Sequence, residues 1–424
     1  MAPPTHPESM AALYAANTPD SFWKLLLEPP ISPEEWDTAS RAAAAILPQA
    51  DQASGASHAS VAAAVLGETI FGPRRWQLSR KKRLYYQMKP FLPRQVGIFL
   101  RKGYRQLQEQ QFALGWPIED RYARFHYQYL AQALRQRGLR EVSYLHFWPH
   151  ARRFALALTH DVEGAAGCAF VEEVARLEET LGFRSAFNFV PERYPIDPGL
   201  FSSLRQRGFE VGVHGLKHDG KLFFSRRVFA QRAAKINHYL RAWGAAGFRA
   251  PHMHRNAEWL QALDIEYDTS FFDTDPYEPM PGGTMSIWPF VLGAFVEMPY
   301  TLAQDHTLMT ILGERSARLW LKKVDFIEQW RGMALVNTHP DYLRAPGHLD
   351  IYQQFLITLK ERGNYWHALP GDVARWWQQR RQFQAQSVGG QWNLSDLPGA
   401  VASRLVAEET SLLAARNLTQ DMRV

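Results

Sequence analysis

From about residue 150 onward, short apolar runs alternate with stretches whose apolar residues recur three and four positions apart. The runs are 154–159 (FALALT), 185–190 (SAFNFV), 209–213 (FEVGV), 247–250 (GFRA), 265–270 (IEYDTS), 295–300 (FVEMPY), 333–338 (MALVNT) and 365–369 (YWHAL). Their length and their β-branched and aromatic content predict strands. The intervening spacing predicts helices at 171–182, 199–207, 228–243, 256–263, 317–331 and 349–362. Repeated strand–helix units imply parallel strands joined by crossovers. Seven or eight of them in succession fit a closed (β/α) barrel better than an open sheet.

Before residue 149 the pattern is different. Residues 1–60 are rich in Ala, Pro and Ser, and helical spacing recurs at 34–47, 58–67 and 108–138. We therefore read 1–148 as a mostly helical N-terminal region, 149–380 as the barrel, and 381–424 as a polar C-terminal tail with one apolar stretch, LPGAVASRLV. No repeat of solenoid length is visible.

Composition adds exclusions. A single cysteine, Cys168, excludes an internal disulfide framework and a cysteine-rich zinc module. No apolar run is long enough for a membrane span. The opening MAPPTHPESM lacks a basic region followed by an apolar one, so a cytoplasmic protein is expected. The net charge of +6 is local: residues 74–105 hold eleven Lys or Arg and no Asp or Glu, with Tyr, Phe and Ile interleaved. The other residues are net acidic. Such a segment fits a solvated face of its own domain, or peripheral contact with an anionic membrane at the inner face. Nucleic acid is the weaker reading.

The polar residues of the barrel region gather where strands end. The first strand runs into Thr159-His160-Asp161-Val162-Glu163, the third into His214 and His218, and the fourth into Arg249, Pro251 and His252. The fifth carries Asp268, and the seventh ends in His339-Pro340-Asp341. In a parallel barrel these ends open on one face, so residues far apart in sequence converge there. His214 and His218 have the i, i+4 spacing of one side of a helical turn and can reach one metal. The carboxylates after the first strand are the nearest source of a third ligand. Two imidazoles and one carboxylate suit one divalent ion, Zn2+ first. His339 is a candidate acid–base group, and Arg249, in a rigid R-A-P turn, a candidate for inward charge pairing.

In this order, THDVE at 159–163, HGLKHD at 214–219, FRAP at 248–251 and VNTHPD at 336–341 resemble the polysaccharide deacetylase family, also called NodB-like or carbohydrate esterase family 4. The resemblance covers about residues 150–370. It implies a deformed (β/α)7–8 TIM-like barrel holding one zinc-like ion and hydrolysing N- or O-acetyl groups on an acetylated saccharide. It also implies Asp161 as general base, His214 and His218 as metal ligands, Arg249 as the partner of the base and His339 as general acid. The family commonly has two adjacent Asp in its first motif. Here Val162 takes the second place, so Glu163 is the substitute ligand, with Asp161 itself the other option. His252 stands where the family has an aromatic. We expect His252, Asp268, Tyr300 and Asp341 to bind substrate, with Tyr267, Trp288 and Tyr342 also available to stack on a sugar. Two alternatives keep the barrel: a C–N hydrolase of a small non-sugar amide, and a degenerate saccharide-binding protein, to which Val162 points.

Overall fold

The structure is a computed structural model and describes residues 10–48, 57–79, 82–84, 88, 103, 109–388 and 391–415. Two short strands, β1 (Leu25–Leu26) and β2 (Glu141–Leu145), precede the barrel. Its strands are β3 (Phe154–Val162), β4 (Ala186–Phe189), β5 (Glu210–His214), β6 (Gly247–Arg249), β7 (Tyr267–Asp268), β8 (Phe290–Leu292), β9 (Phe295–Glu297), β10 (Met333–Thr338) and β11 (Tyr365–His367). A hairpin, β12 (Gln386–Val388) and β13 (Gln391–Asn393), and a last strand, β14 (Ala402–Val406), follow.

All eight strand runs read from the sequence form strands; β8 is additional. The sheet order is β10-β3-β4-β5-β6-β7-β9-β8, with β11 also on β3. Every pairing is parallel except the edge pair β8–β9. Between β9 and β10 the ladder is interrupted. The gap is bridged by the N–H groups of Thr301 and Leu302 donating to Leu335 O, and by Met333 N–H donating to Ile287 O. The result is a deformed barrel.

The longest strand, β3, is buried at all nine positions. That is why its sequence reads as an apolar run and not as an alternation: both faces of a parallel strand are covered. The helices begin and end on local signals. Asp197 caps Pro198–Gln206 by accepting from Gly199 N–H, Ser225 caps Arg226–Trp243, and left-handed Gly182 and Gly244 close Ala165–Leu181 and Arg226–Trp243.

The C-terminal residues are not a separate tail. Strand β14 pairs antiparallel with β2, which also pairs with β1, and these three form a small sheet of their own. The helix Ala407–Ala415 packs on the helix Arg121–Gln136. The N-terminal region and the chain end thus make one body beside the barrel. Among the described residues, no helix is long and apolar enough to cross a membrane. Most of the basic segment 74–105 lies outside the described residues.

Candidate active site

The end of β3 sets the site. Successive side chains of a strand point to opposite faces. Asp161 and Glu163 therefore share one face, and His160 and Val162 the other. On the outer side, His160 Nε2 bonds Glu178 Oε1 at 2.8 Å and its Nδ1 bonds Thr338 Oγ1 at 2.7 Å. Val162 is fully buried. Glu163, the first residue after β3, falls on the face of Asp161 because the strand's alternation runs through Val162.

Glu163, His214 and His218 each offer a ligand atom, and these atoms lie within 4.8 Å of one another. His214 ends β5. Its Nδ1 bonds Arg249 O at 3.1 Å, which leaves Nε2 buried with no hydrogen-bond partner. His218 is not one helical turn on, as its spacing implies. It follows a tight bend in which Gly215 (φ +61) and His218 (φ +51) are left-handed. A Cβ on Gly215 would stand 2.3 Å from Pro251 Cγ, so only glycine fits the bend. His218 Nε2 is 2.9 Å from Glu163 Oε1 without hydrogen-bond alignment, and neither of its ring nitrogens has a hydrogen-bond partner. Buried nitrogens left unsatisfied are costly. Two such imidazoles facing a carboxylate fit the donor set of a divalent cation. Tyr342 Oη donates to Glu163 Oε2 at 3.1 Å and orients it.

Asp161 lies beside this cluster. Its Oδ1 accepts from Arg249 Nη1 at 3.2 Å and from Asn188 Nδ2 at 3.1 Å; its Oδ2 accepts from Asn337 Nδ2 at 2.9 Å. Burial would raise its pKa, but Arg249 first, then His214 and His339, hold it at about 2. Burial likewise works against ionised Glu163, yet His218, His339 and His214 keep it well below the usual carboxylate range.

His339 closes the other side. Its Nδ1 bonds Asp305 Oδ1 at 2.6 Å and its backbone N–H donates to Asp305 Oδ2 at 2.8 Å. The free edge, Nε2, lies 3.9 Å from both Asp161 Oδ2 and Glu163 Oε1. Burial pushes this imidazole down, but Asp305 and then Glu163 and Asp161 outweigh it and lift its pKa to about 10. Asp305 is absent from the sequence reading. It lies in TLAQDH, after β9, with no motif around it. Asn188 left a weak signal, as a lone polar residue within the apolar run SAFNFV.

The remaining expected residues divide. His252 is half-buried, its ring centroid 4.3 Å from that of His218. Asp341 accepts from the N–H groups of Glu163 (2.8 Å) and Gly167 (3.2 Å), so it anchors the end of β3 and the start of the next helix. Asp268 is fully buried, accepts from Ser270 Oγ at 2.7 Å and sits across from buried Glu297. Tyr300 is buried too, its hydroxyl oxygen 2.9 Å from Asp275 Oδ2 and 3.0 Å from Glu278 Oε1. Tyr267 and Trp288 are buried and bonded to Glu210 and Arg331 O, which leaves Tyr342 as the aromatic beside the cluster.

No protein-family model and no curated protein matches the chain. The solved structures that its fold resembles include polysaccharide deacetylases and an allantoinase. A protein given as a polysaccharide deacetylase from Mycobacterium smegmatis is 15% identical, with a TM-score of 0.46, over 57% of this chain and 96% of that one. Puue allantoinase is 14% identical, with a TM-score of 0.45, over 56% and 94%. The peptidoglycan deacetylase PdaC from Bacillus subtilis is 13% identical, with a TM-score of 0.36, over 55% and 96%. What the site can do follows from its own residues.

Proposed function

We propose that this chain is a divalent-metal-dependent hydrolase that removes an N- or O-acetyl group from a saccharide or glycolipid precursor. One observation carries the reading: an ionised carboxylate held by an arginine and an imidazole held by a carboxylate flank the same three-residue ligand cluster. Glu163, His214 and His218 would hold the cation, which when bound lowers the pKa of its water and polarises the acetyl carbonyl. Asp161, kept ionised by Arg249, accepts the proton of the attacking water. His339, with Nδ1 fixed on Asp305, presents its Nε2 proton to the leaving nitrogen or oxygen. An amine is a poor leaving group, so this protonation matters most for N-acetyl substrates. The backbone N–H of His252 is our choice of oxyanion donor. Tyr342 offers a face for the sugar ring.

Acetate release from a panel of acetylated saccharides and lipid-linked sugars, with and without chelator, tests the reading. The expected result is release that chelator abolishes and Zn2+ restores. No acetate from any member, with the ion bound, would sink saccharide deacetylation.

We further propose that the basic segment 74–105 makes peripheral contact with the anionic inner face of the membrane. In support, the segment carries eleven Lys or Arg and no Asp or Glu; of these, Lys82 and Arg83 donate to Pro279 O and Phe224 O, in loops after β7 and β5, and so are engaged by the chain itself. Binding to anionic vesicles at low salt that high salt reverses is the expected result. No co-sedimentation at low salt would remove this part.

A further inference from the structure

Glu68 belongs to the N-terminal region, far in sequence from every residue of the site. Its side chain is buried, and its carboxylate is saturated by donors from three places. Arg255 Nε donates to Oε2 at 2.8 Å, and Arg255 Nη2 reaches Oε1. Trp76 Nε1 donates to Oε2 at 2.7 Å, and Gly283 N–H to Oε1 at 2.7 Å. Arg255 is equally buried. Its Nη1 donates to Met253 O and Met280 O at 3.2 Å each, and its guanidinium lies 4.3 Å from the Phe272 ring centroid. A Cβ on Gly282 would meet both Arg255 Nη2 (2.3 Å) and Glu68 Oε1 (2.4 Å), so the chain passes this ion pair with glycine.

The segment tied down in this way starts two residues after β6 ends. His252 (φ +59) and Met253 (φ +50) are both left-handed without being glycine. That conformation is unfavourable for L-residues and persists only where the surroundings impose it. His252 is also the residue packed against His218 in the ligand cluster.

We propose that Glu68 is a positioning residue for the active site: through Arg255 it fixes the His252 loop, so the N-terminal region builds one wall of the substrate pocket. The inference goes beyond the ligand cluster and the acid–base pairs, none of which it touches. Its kinetic consequence rests on the deacetylase reading; its structural consequence does not.

The test uses the full chain. Glu68→Gln leaves a buried guanidinium without its countercharge and risks misfolding. Arg255→Lys keeps the charge and loses the fork, and serves as the second variant. Hydrogen exchange is read on peptides spanning 250–256 and on β3, β5 and β10. Exchange in the loop about tenfold faster, with the strands unchanged, is expected, because one or two buried hydrogen bonds are lost. Zn2+ binding, measured with the metal alone, stays at the wild-type level. In the acetate assay kcat/KM falls about tenfold, through kcat as well as KM, because the loop carries the His252 N–H proposed as oxyanion donor. Unchanged loop exchange in a folded Arg255→Lys protein overturns the proposal. So does an unchanged kcat/KM in a variant whose loop exchanges faster. If the wild type releases no acetate, the deacetylase reading fails while the exchange result still decides the role of Glu68.

Discussion

At the scale of residues, the proposed function separates metal ligands from proton carriers, and substitutions should separate them too. Glu163, His214 and His218 supply the three clustered ligand atoms, whereas Asp161 is bonded to Arg249, Asn188 and Asn337. His214→Ala and Glu163→Gln should therefore lose bound metal and activity together. Asp161→Asn should keep metal and lose at least about a hundredfold in kcat/KM. Elemental analysis of each purified variant checks the split, and metal loss in Asp161→Asn would make Asp161 a ligand.

Two opposite pH effects follow in the metal-free protein. Asp161 drops from 3.8 to about 2, so its contribution to stability is complete above pH 3.8 and is lost as pH falls toward 2. His339 rises from 6.5 to about 10, so its contribution is complete below pH 6.5 and is lost as pH climbs toward 10. Asp305→Asn removes the largest of the charges that together outweigh burial, so NMR titration of His339 should show a lower pKa. An unchanged midpoint would mean that Asp305 does not hold the proton. The motif residues were legible because each interrupts an apolar pattern at a strand end. Asp305 was not, because its role depends only on where the segment between β9 and β10 crosses His339.

At the scale of elements, the geometry of β3 sets Asp161 and Glu163 apart from Val162. Period-two alternation brings Asp161 and Glu163 to one face while Val162 fills the other. Two carboxylates two residues apart thus share one face. This alternation is local, and the sequence contained it, but a reader must know that the strand continues through Val162. Burial of β3 on both faces hides its end. The following helix is fitted just as closely: a Cβ on Gly167 would lie 1.9 Å from Asp341 Oδ2. Gly167→Ala should displace Asp341 from the Glu163 amide. We expect a loss of about 1–3 kcal/mol in stability from overpacking, together with weaker Zn2+ affinity. Thermal unfolding and a Zn2+ titration measure the two effects. Full affinity in the variant would show that Asp341 does not steady Glu163.

At the scale of the whole molecule, β14 joins β2 and β1 in a small sheet beside the barrel. A chain cut after residue 400 loses β14 from the edge of β2 and the helix that packs on Arg121–Gln136. It should unfold at lower temperature than the full chain, and an unchanged midpoint would show that the small sheet contributes nothing to stability. The sequence by itself determined the βα alternation, the order of the barrel strands along the chain and the residue types at their ends. Those features are local, written in apolar periodicity and in polar interruptions of it. The tertiary structure alone decided the pairing of β14 with β2, the placing of Asp305 on His339, the inward turn of His218 and the grip of Glu68 on Arg255. Each of these joins segments that carry no mark of one another, because a buried charge or strand edge is satisfied by whatever the fold brings within bonding distance.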